Sequence, residues 1–206
     1  MIKLIKNFSE KEDYLKDLAI YVVFFILIVK TVDCIPSGGI EYITAQTSNK
    51  IFQNFGLITN YGFSDGSVFL SLEGIRDVQV TIIRECTGVH IWGILVALIL
   101  PLKNANLIKK LTGILASTFL VFFINIIRII ATVYLTSFNV PPFSWFLSDP
   151  TVSTYHYPIS FITGLLGIVL IISVLDKFVL SELGDFLVSL PLFFINYLKL
   201  IKVKTT

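Results

Sequence analysis

The run Leu111–Leu135, LTGILASTFLVFFINIIRIIATVYL, decides the class of fold. It is long enough to cross a bilayer, which takes about 20 apolar residues, and its single charged side chain is Arg128. Three further apolar runs lie around it, at Leu18–Val32, Val89–Leu102 and Pro158–Leu175. The whole chain of 206 residues is 55% hydrophobic and 15% charged, with a mean hydropathy of +0.84. That is too apolar for a soluble domain of this length. The expectation is an all-α integral membrane bundle of about four spanning helices, forming a single membrane domain over residues 1–206.

The formal charge of +2 says little, but its distribution is informative. Lysines gather at the N-terminus (Lys3, Lys6, Lys11, Lys16), between the second and third runs (Lys103, Lys109, Lys110) and at the C-terminus (Lys199, Lys202, Lys204). The bias of Lys and Arg towards cytoplasmic loops then places residues 1–17, 103–110 and 176–206 inside the cell. Segments 33–87 and 136–157 lie outside, and the second of these holds no Lys or Arg. The first helix does not read as a cleaved signal: its leading region is long and mixed in charge, and no small-residue cleavage site follows Val32. Nucleic acid is excluded as a partner, because the lysines flank apolar runs and form no basic face.

Phe178–Leu200 is apolar but carries Glu182, Asp185 and Pro191 and ends in lysines. Spanning would put those lysines outside, so an interfacial helix or hairpin is expected. The external segment 33–87 is long for a loop and predicts a small α/β insertion. Glu41–Phe55 reads as an amphipathic helix, and Asn60-Tyr61-Gly62 and Ser64-Asp65-Gly66-Ser67 as turns. The alternating runs Val68–Leu72 and Val78–Ile83 read as strands, the second delivering the chain to Cys86.

Three side chains are out of place. Cys86 stands in Arg84-Glu85-Cys86-Thr87-Gly88, where the polar segment meets the second apolar run. Arg128 lies inside the third run, and His156 just before the fourth, with Pro158 as that helix's first-turn residue. With 1.5 Å of rise per residue, Arg128 sits about 10 Å from the outer end of its helix. Cys86 and His156 occupy the outer mouths of theirs, so all three share one depth.

At 100° per residue, Ser117, Thr118, Asn125, Arg128, Thr132 and Thr136 fall on one stripe of the third helix. Polar stripes in membrane helices face the bundle interior or a wet cavity. Each member of the trio also has a bland reading. Arg128 could snorkel to the headgroups, Cys86 could be a small buried hydrophobe, and His156 a structural hydrogen-bonding group. Their convergence favours chemistry: thiol, cation and imidazole suffice for thiol-based acyl transfer. A helix N-terminus and a nearby cation would also favour the thiolate. His90, four residues after Cys86, competes as the base. Cys34 reads as structural.

Cys86-Thr87-Gly88 opening one helix, Asn125-Ile126-Ile127-Arg128 in the next, and His156 before a helix with Gly164 and Gly167 resemble the exosortase/archaeosortase family. The resemblance covers roughly residues 60–175. It implies a membrane-embedded cysteine transpeptidase of a prokaryotic cell membrane, acting on C-terminal sorting signals. Cys86 would be the nucleophile, Arg128 the essential cation and His156 the third catalytic residue, with Asn125, Thr87 and Gly88 in support. Many archaeal relatives carry a second Arg where His156 stands. The implied partners are secreted proteins ending in a short motif, an apolar helix and a basic tail, with a membrane lipid as acceptor. No metal or cofactor is expected. The chain is shorter than many members, which have more helices.

Two rival functions make different demands. A quinone-coupled thiol oxidoreductase would pair Cys34 with Cys86, yet there is no Cys-x-x-Cys and Arg128 has no task in it. A non-enzymatic transport subunit would use the polar stripe and Arg128 but leave Cys86 idle.

Overall fold

The computed structural model describes residues 2–102, 105–147, 150–181, 183–184 and 187; for residues 2–15 and 17 it describes the backbone alone. Helix α1 (Ile2–Asp33) is followed by α2 (Gly39–Asn54), strands β1 (Thr59–Ser64), β2 (Ser67–Leu72) and β3 (Val78–Ile82), and a 3₁₀ turn (Arg84–Thr87). Helices α3 (Val89–Ile99), α4 (Leu107–Ser137), α5 (Phe143–Phe146) and α6 (Val152–Phe178) complete the order. The chain divides into two compact units. One holds Met1–Lys30, Gly93–Ser117 and Leu170–Thr206, the other Thr31–Trp92 and Thr118–Val169.

The solvent these helices are built for can be read from α4. Its polar residues Ser117, Asn125, Thr132 and Thr136 are buried, whereas Leu115, Phe119 and Phe123 are 59%, 68% and 64% exposed. Water would reverse that arrangement; hydrocarbon favours it. The buried hydroxyls are satisfied within the helix, Thr132 Oγ1 donating to the Arg128 carbonyl at 2.9 Å and Thr136 Oγ1 to the Thr132 carbonyl at 2.7 Å. Helix α6 likewise exposes Phe161, Leu165, Leu166 and Val169. Among the described residues, α4 and α6 are long and apolar enough to cross a membrane.

The second expected span comes out differently. Val89–Leu102 forms α3, a helix of 11 residues, which rises about 16 Å, roughly half a hydrocarbon core. It ends at Ile99, ahead of the sequence Leu100-Pro101, because a residue preceding proline is pushed out of helical conformation. In the unit that holds Gly93–Ser117, Gly113 lets α4 and Leu180 approach closely: a Cβ there would stand 2.6 Å from Leu180 Cδ1. Most of Phe178–Leu200, with its expected interfacial helix, falls outside the described residues.

The other unit contains the α/β insertion, and the sheet has three strands rather than two, in the order β1-β2-β3. Strand β1, whose Asn60-Tyr61-Gly62 reads from sequence as a turn, pairs with β2 in register Thr59↔Leu72 to Ser64↔Ser67. The connection is the two-residue loop Asp65-Gly66, both residues at positive φ (50° and 75°). That is the backbone an Asp-Gly hairpin adopts to match strand twist. Helix α2 begins at Gly39, with Glu41 Oε2 accepting from the Gly38 N–H at 2.8 Å. Its Ala45 and Phe52 join Val68, Leu70, Leu72, Val78 and Ile82 of the sheet and Ile129 and Val133 of α4 in one core. Helix α2 and α4 thus cover the same face of the sheet.

Candidate active site

Cys86 is placed by its neighbours in the chain. It lies in the 3₁₀ turn rather than in the first turn of α3, and Gly88, at φ 75°, separates the two. The Cys86 N–H donates to the Ile83 carbonyl at 2.8 Å and Thr87 Oγ1 to the Arg84 carbonyl at 2.7 Å, which close the turn. Arg84 ties its start to the end of α1: Nη1 donates to the Asp33 carbonyl at 2.8 Å and Nη2 to that of Ile35. Gly88 is required twice over, by its left-handed backbone and by contact with α4. A Cβ at that position would stand 2.9 Å from Val121 Cγ1.

Asn125 and Arg128 share a face of α4 because they are three residues apart. Asn125 Nδ2 donates to the Cys86 carbonyl. Arg128 Nη2 reaches the Glu85 carbonyl at 3.4 Å. The pair therefore grips two successive carbonyls of the cysteine turn, which explains the spacing in Asn-x-x-Arg. Asn125 is 4% exposed, so its amide works where a lost hydrogen bond is costly. Arg128 Nε is buried and has no hydrogen-bond partner among the described residues.

His156 is on α6, not ahead of it. The helix begins at Val152, and Pro158 lies inside it. A proline so near the start removes one N–H donor while leaving six helical residues before it, so the expected first-turn role does not hold. Tyr155, 1% exposed, fastens this end of α6: its hydroxyl donates to the Val140 carbonyl at 2.8 Å, and its ring meets Phe143 edge-on at 5.2 Å. The sequence reading missed Tyr155, although a buried tyrosine needs such a partner. It also missed Gly74 and Arg76. The Arg76 N–H donates to the Ser137 carbonyl at 3.0 Å, and Ser137 Oγ donates to the Arg76 carbonyl at 2.8 Å. A Cβ on Gly74 would overlap Ser137 Oγ, at 2.2 Å. These contacts lock the β2–β3 connection to the end of α4.

The result is a cavity of ≈80 Å³ whose lining includes Cys86, Arg128 and His156, together with Val80, Thr132 and Val152. Two elements named from the polar stripe, Arg128 and Thr132, thus face a shared space with the thiol and the imidazole. His90 is not on that lining; its Nε2 is 3.5 Å from Asp33 Oδ1 on a half-exposed surface. Cys34 is exposed, and both cysteines are free thiols. Thr87 and Gly88 line a second cavity of ≈230 Å³, walled by apolar side chains including Val89, Trp92, Val121 and Phe122. Trp92 Nε1 donates to Thr118 Oγ1 at 2.8 Å, so Thr118, another member of the stripe, serves a structural bond. Among the described residues no cluster of His, Cys, Asp and Glu has the makings of a metal site.

A family model described as transmembrane exosortase (Exosortase_EpsH) matches residues 12–150. The match takes in Cys86, Asn125 and Arg128 and stops short of His156. No curated protein and no solved structure matches the chain.

Proposed function

The chain belongs to the transmembrane exosortase family, and on that premise we propose that it is a cysteine transpeptidase with Cys86 as nucleophile. The observation that carries this reading is the shared cavity of Cys86, Arg128 and His156. The substrate is a secreted protein held by a C-terminal apolar helix, which presents the peptide bond next to that helix.

The Cys86 thiolate attacks the scissile carbonyl carbon, and the carbonyl π electrons move to oxygen. Arg128 stabilises the oxyanion with donors left over from the Glu85 carbonyl, and the buried Nε supports this role. When the intermediate collapses, the C–N bond breaks, His156 in its imidazolium form gives its proton to the leaving amine, and a thioester remains on Cys86. Neutral His156 then takes a proton from an acceptor amine, which attacks the thioester. The new amide forms and the thiolate leaves. A lipid headgroup amine is the acceptor. Asn125 is a positioning residue, holding the Cys86 backbone while the sulfur changes partners.

Hydroxylamine tests the thioester directly. Added to a processing reaction with a secreted protein of the required C-terminal form, it should compete with the native acceptor and leave a hydroxamate on the new C-terminus. Processing with no hydroxamate at any hydroxylamine concentration would rule out an acyl-enzyme open to amines.

Arg128→Lys should fail almost as badly as Arg128→Ala, losing about 10²-fold or more in kcat. Lysine keeps the charge but cannot hold the Glu85 carbonyl and an oxyanion at once with one planar fork. Full activity in the lysine variant would show that Arg128 acts only as a snorkelling cation.

In this reading the protein is multi-pass, with a cytoplasmic N-terminus and its thiol at the external face. Segment 33–87 is then external. Lys50, on the exposed side of α2, should react with a membrane-impermeant amine reagent applied to intact cells, while Lys109 should react only after the cells are opened. Protection of Lys50 in intact cells would invert the topology.

A further inference from the structure

Strand β3 closes the sheet, so one of its edges carries no strand. Which backbone groups that edge offers follows from the hairpin. Across the two-residue loop, Ser64 and Ser67 form a hydrogen-bonded pair, and pairs of that kind recur at every second residue. Ser67, Phe69 and Ser71 therefore direct their backbone groups to β1, and Val68, Leu70 and Leu72 direct theirs to β3. Their partners Ile82, Val80 and Val78 turn inward, which leaves the N–H and C=O groups of Gln79 and Thr81 pointing away from the sheet. Among the described residues, neither backbone has a hydrogen-bond partner.

That edge opens on the reaction centre. Val80, Thr81 and Ile82 all line the cavity that holds Cys86, Arg128 and His156. Successive strand side chains point to opposite faces, and those of Val78 and Ile82 lie in the core, so Thr81 meets the cavity through its backbone. The cavity thus reaches β3 at Thr81, beside the unpaired edge, and the chain reaches Cys86 five residues after Thr81.

We propose that the free edge of β3 binds the substrate as an added strand, pairing Gln79 and Thr81 with the extended segment just N-terminal to the scissile bond. The proposal rests on the peptidase reading above. Strand β3 runs towards Cys86, and the segment before the scissile bond must also run towards it, so the pairing is parallel. Main-chain pairing would supply affinity without regard to side chains. Selectivity would then fall to the substrate side chains that enter beside Val80 and Ile82.

Two measurements on the full chain in membranes test this. In the first, p-benzoylphenylalanine at position 79 is carried in a Cys86→Ala background, with the same secreted protein as substrate. Irradiation should cross-link it to residues immediately preceding the cleavage point; cross-links only to lipid, to a second copy of the chain, or to nothing would overturn the proposal. In the second, Thr81→Pro removes the outward N–H and spares the bonds to β2, a substitution an edge strand tolerates. Its KM should rise about tenfold, the worth of one hydrogen bond, with kcat retained and with iodoacetamide alkylating Cys86 at the wild-type rate. An unchanged KM would overturn the proposal. Should Thr81→Pro not insert in the membrane, the cross-link decides. Failure of the wild-type chain to process the protein would instead overturn the peptidase reading.

Discussion

Cys86→Ala should abolish processing completely while the chain still folds and inserts. Removing the sulfur removes the nucleophile of the proposed thioester, and the turn that carries it is held by bonds the alanine keeps. The Cys86 N–H to Ile83, the Asn125 amide to the residue 86 carbonyl and the Thr87 hydroxyl to Arg84 all involve atoms outside the thiol. The measurement is loss of the C-terminal peptide from a candidate substrate, with membrane insertion checked in parallel. Undiminished cleavage by the alanine variant would end the cysteine-enzyme reading. Cys34→Ala provides the contrast and should be nearly silent. Equal losses at both positions would favour the thiol oxidoreductase.

His156→Ala is expected to lower single-turnover thioester formation by roughly 10²- to 10⁴-fold, the range of a lost general acid–base. His90→Ala should cost far less. His156 lines the cavity with the thiol, whereas His90 is off that lining and sits against Asp33. Both variants are to be compared by hydroxylamine trapping before turnover. If His90→Ala proves the inactive one, the base has been misassigned and the mechanism above needs a different proton path. A small effect from both would point to a base outside this cavity.

The membrane class, the polar stripe and the three out-of-place side chains that share the cavity were legible in the sequence because each shows in composition or in local pattern. A bilayer imposes long apolar runs, and one helix repeats every 3.6 residues whatever it packs against. Val68–Leu72 and Val78–Ile83 were legible as strands for the same reason, their alternation being local. Strand β1 was not: Asn60, Gly62 and Ser64 look like turn residues, and only pairing with β2 gives them a strand's hydrogen bonds.

The start of α6 was also beyond the sequence. Pro158 looked like a start, yet α6 begins at Val152, where Tyr155 finds its partner in Val140. The tertiary structure alone decided that Asn125 grips the Cys86 carbonyl, that Gly74 lets Ser137 touch the β2–β3 connection, and that His90 turns to Asp33. The physical reason is common to all three. Each depends on a contact between residues far apart in the chain, and local periodicity carries no information about such a partner. Composition and local pattern marked Cys86, Arg128 and His156 as out of place; long-range packing decided that these three, and not His90, share a cavity.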